Sequence, residues 1–78
     1  NSGMLFKFND LELPTITTIP MKFAIDIVCF NNDLVINDIF YNITPGQLVI
    51  IKKPILYFLE INSGESKKVH IGDKLVFI

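Results

Sequence analysis

Apolar and polar residues alternate along much of the chain at the spacing typical of β-strands. Over residues 21–30, Ile25 and Ile27 fall on one face of a pattern with a period of two residues. Residues 55–61 show the same period. Residues 31–33 (Asn-Asn-Asp) have turn chemistry, because these side chains hydrogen-bond their own backbone and tolerate left-handed conformations. The sequence therefore predicts an all-β fold with a sheet of five to six short strands.

Residues 34–51 are predicted to hold two strands joined by a compact corner. A short side-chain oxygen at Asn37 or Asp38 can cap one helical turn over residues 37–43. Pro45-Gly46 fits the central positions of a type II turn and directs residues 48–51 into the sheet. We expect this stretch to be the centre of the core and of the interface between chains. Leu48→Asp or Ile50→Asp is therefore expected to abolish folding and dimerisation together, because each buries an unpaired charge.

The roles of the remaining segments are predicted from prolines, glycines and the alternation of apolar residues. Residues 1–3, ahead of Met4, are predicted to be an expression-tag remnant, with Met4 as a start site. Residues 4–18 are predicted to form an N-terminal arm because Pro14 and a Thr-rich segment interrupt their alternation. Residues 19–78 form the predicted domain, and its last part is expected to add strands over 66–71 and 74–78.

The composition is unusually apolar for so short a chain. Half of the 78 residues are hydrophobic and 19% are charged, against a typical charged share of about 25%. A domain of this size buries only about 60% of the surface that its unfolded chain exposes. The apolar excess favours an intertwined dimer over a closed monomeric barrel, because large exposed apolar patches mark interaction sites.

The net charge and the few reactive side chains limit the classes of function that the sequence supports. The net charge of −1, with lysines and no arginine, disfavours a nucleic-acid surface, and no apolar run is long enough for membrane insertion. Cys29 and His70 are single residues of their types, so neither a disulfide nor a cysteine-rich metal site is expected. Asp26 and Asp73 are interpreted as a strand residue and a turn residue. The sequence predicts a protein that is not an enzyme, with no cofactor, metal or catalytic residue.

One alternative function remains open at this point. Aromatic side chains could form a base-stacking platform on a small oligonucleotide-binding β-barrel. The residues concerned are Phe23, Phe30, Phe40, Tyr57 and Phe58.

Three motifs resemble the SPOA (surface presentation of antigens) domain of type III secretion cytoplasmic-ring and sorting-platform proteins, the SpaO/YscQ/FliN family. The first motif is residues 19–23, Ile-Pro-Met-Lys-Phe. The second combines residues 34–40 with the Pro-Gly-Gln-Leu-Val-Ile of residues 45–50. The third combines the hairpin of residues 61–64 with the Gly-led segment 72–76.

The resemblance implies a non-enzymatic assembly module. Such domains intertwine by strand exchange into a barrel-like β structure with one short helical turn, either as a homodimer or with the SPOA domain of the full-length subunit. The implied partner is the stator protein that regulates the export ATPase, and the implied location is cytoplasmic, at the secretion apparatus. Protein secretion by a virulence system would be the process served.

The expected partner interface consists of apolar strand residues. They are Phe23, Ile25, Ile27, Leu34, Ile36, Phe40, Leu48, Ile50, Tyr57, Val69, Ile71, Leu75 and Phe77.

Overall fold

The computed structural model describes residues 3–76 and consists of two antiparallel sheets. In chain order the strands are β1 (Met4–Glu12), β2 (Thr15–Thr17), β3 (Ile25–Phe30), β4 (Ile36–Ile43), β5 (Leu48–Ile50) and β6 (Ile55–Asn62). The four-stranded sheet has the order β1-β6-β3-β4, and β2 pairs with β5 in the two-stranded sheet. A 3-10 helix, Glu65–Lys68, follows β6. The predicted all-β class is confirmed.

Strand β3 is the centre of the molecule. All six of its residues are buried, and it lies between β6 and β4. Ile25 and Ile27 pack on one face of the sheet against β2 and β5. Val28 and Phe30 belong to a second apolar cluster on the other face, against which Val69 packs from the C-terminal segment. Covering on both faces explains why β3 is almost continuously apolar.

The two-stranded sheet presents the opposite residues to the core from those predicted. Val49 pairs with Ile16, and both are only 6% exposed. Leu48 and Ile50 point outward and are 65% and 62% exposed. Four consecutive apolar residues carry no alternation, so the sequence could not indicate which of them face inward.

Two turns in the middle of the chain form as predicted. The Asn31 side-chain oxygen accepts hydrogen bonds from the N–H groups of Asp33 (2.8 Å) and Val35 (3.1 Å), and β3 and β4 pair as a hairpin. Gly46 has a φ of +85°, the positive value that the third position of a type II turn requires. Local side-chain and backbone preferences were enough to predict both turns.

The predicted helical turn over residues 37–43 is wrong, because this segment is strand β4. Pairing with β3 satisfies its backbone in a ladder, and the β-branched Ile39 and Ile43 suit a strand better than a helix. The strand predicted over residues 66–71 is also wrong, since Gly64, with φ +93°, leads into the 3-10 helix. Within residues 3–76 the helical turn therefore lies after β6, where the carboxylate of Asp26 accepts hydrogen bonds from it.

The N-terminal part of the chain contributes more to the sheets than the sequence predicts, and the C-terminal part contributes less. Residues 4–18, interpreted as an arm, supply β1 and β2 to the two sheets. Of the strand predicted over residues 74–78, Lys74 forms a single bridge with Val35, and positions 77–78 lie outside the described residues.

The four-stranded sheet ends in the edge strands β1 and β4, so barrel closure is not seen in residues 3–76. Within that range no helix has the length and apolar character needed to cross a membrane.

Candidate functional site: an apolar groove

An open groove of about 700 Å³ separates the β1–β6 side of the large sheet from β2 and the segment that follows it. Ligand pockets in proteins usually enclose about 300–1,000 Å³, so the groove has the capacity for a small molecule. Most of its lining is apolar. The lining side chains include Met4, Phe6, Phe8, Ile16, Met21, Phe23, Phe58, Glu60 and Asn62.

Three phenylalanines form the floor of the groove. Phe6 on β1 and Phe58 on β6 are cross-strand partners, and their rings stack with centroids 4.5 Å apart at 12°. The ring of Phe8 lies 5.8 Å from that of Phe58. Such ring pairs contribute about 0.5–1.5 kcal/mol beyond their burial, so the floor is a stiff aromatic surface.

The opposite wall is held in place by Thr18, which is fully buried. The Thr18 hydroxyl donates to the carbonyl of Thr44 (2.9 Å) and accepts from the N–H of Gln47 (2.8 Å). The Thr18 carbonyl then accepts from the N–H of Met21 at 3.0 Å. These bonds anchor the segment that carries Met21 and Phe23 to the corner before β5.

Glu60 brings a carboxyl group into this apolar surface. It lies on β6 two residues after Phe58, on the same face, and is half-buried. Burial raises the pKa of Glu60 above its ordinary value. Lys7 also lines the groove, but its ammonium lies 5.9 Å from the ring centroid of Tyr57, a residue of the opposite cluster. No donor in residues 3–76 hydrogen-bonds the Glu60 carboxylate.

Glu60→Gln is expected to make the protein more stable at pH 7. Because the pKa of Glu60 is raised in the folded state, the folded protein binds this proton more tightly than the unfolded chain does. The contribution of Glu60 to stability therefore falls as the pH rises from about 4.5 through its folded-state pKa. Urea unfolding at pH 4 and pH 7 measures the effect: the advantage of the variant should vanish at pH 4. The exposed Glu12→Gln is the control, and equal stability of Glu60→Gln and wild type at pH 7 would contradict the assignment.

Asp26 is the most constrained carboxylate and acts as a structural bridge. Its Oδ1 accepts from the N–H of Asn42 (2.8 Å), and its Oδ2 accepts from the N–H of Gly64 (2.9 Å) and from the N–H (3.2 Å) and hydroxyl (2.6 Å) of Ser66. Burial opposes ionisation, but these four donors outweigh it and lower the pKa of Asp26. Asp26 lies on the opposite face of β3 from Ile25, as predicted, yet that face is covered and Asp26 is 1% exposed.

The other candidate reactive groups have structural surroundings. Cys29 is fully buried, and burial, with a smaller contribution from Asp38, raises the pKa of its thiol to about 12. It is therefore a neutral packed thiol at physiological pH. The N–H of His70 donates to a carboxylate oxygen of Asp73 (2.9 Å) in an exposed turn. Across residues 3–76, no three side chains of the metal-ligating types come together.

The predicted interface residues are distributed over the whole molecule. Ile25, Ile27 and Ile36 are buried within their own chain. Leu34, Phe40, Tyr57, Val69 and Leu75 are half-buried. Phe23, Leu48, Ile50 and Ile71 are exposed, and Phe77 lies outside the described residues. Phe23 and Ile25 reach the groove. Dimerisation stays a prediction from the composition.

Sequence reasoning missed most of the groove. Phe6 and Phe8 belong to the arm predicted over residues 4–18, and Glu60 lies in the strand pattern of residues 55–61 with no predicted role. The alternation Phe6-Lys7-Phe8 was a usable signal, because two aromatic residues at period two indicate a strand with one buried face. Their pairing with Phe58, some fifty positions away, had no sequence signal.

Fold and groove together define a small all-β protein with an open apolar groove between its large sheet and the segment around β2. The chain belongs to the DUF192 family, described as "Uncharacterized ACR", whose model matches residues 1–77. No curated protein matches it.

Two crystal structures share the fold. A protein of unknown function from Novosphingobium aromaticivorans is 26% identical with a TM-score of 0.87, and the match covers 96% of this chain and 56% of that one. A putative transcription regulator from Sinorhizobium meliloti is 28% identical with a TM-score of 0.86, and the match covers 92% of this chain and 59% of that one. This chain therefore spans less than two thirds of either neighbour.

The resemblance to SPOA domains is wrong, because the family model assigns the chain to a different family. The motifs behind it were short apolar strands next to Gly-containing turns, which many β proteins contain. The most specific of them included the helical turn over residues 37–43, which is a strand. The assignments to type III secretion, to a cytoplasmic ring and to virulence rested on that resemblance and have no support from either structural neighbour.

Proposed function

We propose that this protein is a non-enzymatic binding module whose groove holds a small ligand with an apolar body. The observation that carries the proposal is the groove of about 700 Å³ with its floor of three phenylalanine rings. A concave apolar surface with few polar groups is the usual form of a small-molecule site. Dimerisation is a separate prediction and does not enter this proposal.

The character of the groove favours binding over catalysis. Catalysis by side chains needs a nucleophile or base together with a group that orients it. The titratable side chains lining the groove are Lys7 and Glu60, and the Lys7 ammonium lies over Tyr57 on the other side of the sheet. A carboxyl group surrounded by apolar side chains can orient a ligand without a chemical step.

The Sinorhizobium neighbour is described as a putative transcription regulator, which makes nucleic acid a second ligand class to consider. This chain has a net charge of −1 and no arginine, a composition that disfavours phosphate binding. A small apolar ligand accounts better for these properties.

Nile red, a neutral hydrophobic dye, is expected to bind the protein with a blue-shifted and enhanced fluorescence. Phe23→Ser should weaken binding about fivefold or more, because losing roughly half of a buried phenylalanine contact costs about 1 kcal/mol. Leu48→Ser is the matched control: Leu48 is 65% exposed and Phe23 is 58% exposed, but Leu48 does not line the groove.

The control should bind the dye as wild type does, and both variants should keep the wild-type circular dichroism spectrum. Failure of wild type to bind Nile red, or equal weakening by the two substitutions, would contradict a ligand site in the groove.

A further inference from the structure

We propose that the ligand of the groove carries a protonated amine at one end, which binds the carboxylate of Glu60. This inference rests on the proposed function and adds the chemical class of the ligand. Its basis is the position of one carboxylate at the end of an aromatic floor.

The groove changes from apolar to polar along β6. Phe58, Glu60 and Asn62 follow one another at alternate positions and all line the groove. Alternate residues of a strand are about 7 Å apart, so a carboxylate and then an amide follow the ring of Phe58 at regular intervals. A ligand lying along β6 would place its apolar body on the floor and its polar end beside Glu60.

The Glu60 carboxylate has unused capacity to accept hydrogen bonds. Its cross-strand neighbours are Met4 on β1 and Ile27 on β3, both apolar. Among the described residues that line the groove, Lys7 is the cation, and its ammonium lies above the ring of Tyr57. Burial is the sole cause that raises the pKa of Glu60, which agrees with the lack of a donor among residues 3–76.

This chemistry discriminates between ligand end groups. An ammonium donates up to three hydrogen bonds and adds a charge interaction, whereas a hydroxyl donates one neutral bond. Charge-assisted hydrogen bonds are roughly twice as strong as neutral ones. A ligand carboxylate would meet a like charge in an apolar setting and would bind weakest.

Displacement of Nile red by decylamine, decanol and decanoate at pH 7 tests the inference, because the three probes share one alkyl chain. Decylamine is expected to bind about tenfold or more tightly than decanol, and decanoate more weakly than both. Glu60→Gln should reduce decylamine to the level of decanol and leave decanol unchanged. Glu12→Gln, an exposed position outside the groove, should preserve the wild-type order.

Each outcome decides one of the two proposals. Equal binding of decylamine and decanol by wild type would overturn the amine specificity while leaving the apolar site in place. A tenfold preference that survives in Glu60→Gln would show that another group recognises the amine and would also overturn it. If wild type does not bind Nile red at all, the proposed function itself fails.

Discussion

Replacing Asp26 with asparagine is expected to destabilise the protein by about 3–5 kcal/mol, the range for breaking a buried charged network. The Asp26 Oδ2 atom accepts from three donors: the N–H groups of Gly64 and Ser66 and the Ser66 hydroxyl. An amide nitrogen at that position would place a donor against donors. An amide turned the other way would present its nitrogen to the N–H of Asn42 instead. Neither orientation satisfies the site.

That loss is large for a chain of this length. A domain of 78 residues has an expected stability of about 4–12 kcal/mol, so the variant should be largely unfolded or melt at a far lower temperature. Urea unfolding followed by circular dichroism measures it. Asp33→Asn, in the exposed turn between β3 and β4, is the control and should change stability by less than about 0.5 kcal/mol. A loss below about 1 kcal/mol for Asp26→Asn would show that the buried network is not a major support of the fold.

The same carboxylate gives the acid sensitivity of the protein a defined sign. Because the pKa of Asp26 is lowered in the folded state, its contribution is fully present above the ordinary value of 3.8 and is lost as the pH falls through the folded-state pKa. The contribution of Glu60 has the opposite slope, since burial raises its pKa. Stability measured against pH in Asp26→Asn should lack part of the acid loss seen in wild type.

Val49→Asp is expected to prevent folding, whereas Leu48→Asp should leave the fold intact. Val49 is 6% exposed and packs in the cluster with Ile16, so an aspartate there would be a buried charge without a partner. The cost exceeds about 4 kcal/mol, which is comparable with the whole stability of a small domain. The Leu48 side chain is 65% exposed on the outer face of the two-stranded sheet, where a charged side chain stays hydrated.

Circular dichroism and thermal unfolding of the two variants provide the measurement. Ile50→Asp should behave as Leu48→Asp does, because Ile50 is 62% exposed on the same face. The sequence alone predicted that Leu48→Asp or Ile50→Asp would remove folding, because both positions were expected to be buried. An unfolded Leu48→Asp together with a folded Val49→Asp would mean that β5 presents its other face to the large sheet.

Features set by a few neighbouring residues were predictable. The turn at Asn31 follows from a side chain that accepts hydrogen bonds from its own next residues, and Gly46 follows from the need for a positive φ. Strands β3 and β6 were recognised because apolar residues recur in them at short spacing. Each of these signals is complete within about ten residues.

The groove could not be predicted in the same way, because it depends on pairing between distant segments. Phe6 stacks on Phe58 only since β1 lies beside β6, and Met21 is positioned only since Thr18 bonds the corner at Gln47. The exposure of Glu60 likewise depends on which strands flank it. A carboxylate between Leu59 and Ile61 has the same local pattern whether it faces water or an apolar groove.

Alternation and turn chemistry act between near neighbours, so the sequence indicates β-strands and an apolar centre. Packing between distant segments sets which side of β5 faces inward, makes Asp26 a bridge from β3 to the 3-10 helix, and brings three phenylalanines and Glu60 to one groove. The difference arises because burial belongs to a position in the packed molecule. A residue acquires it from segments that the chain brings beside it, and these lie up to about fifty positions away.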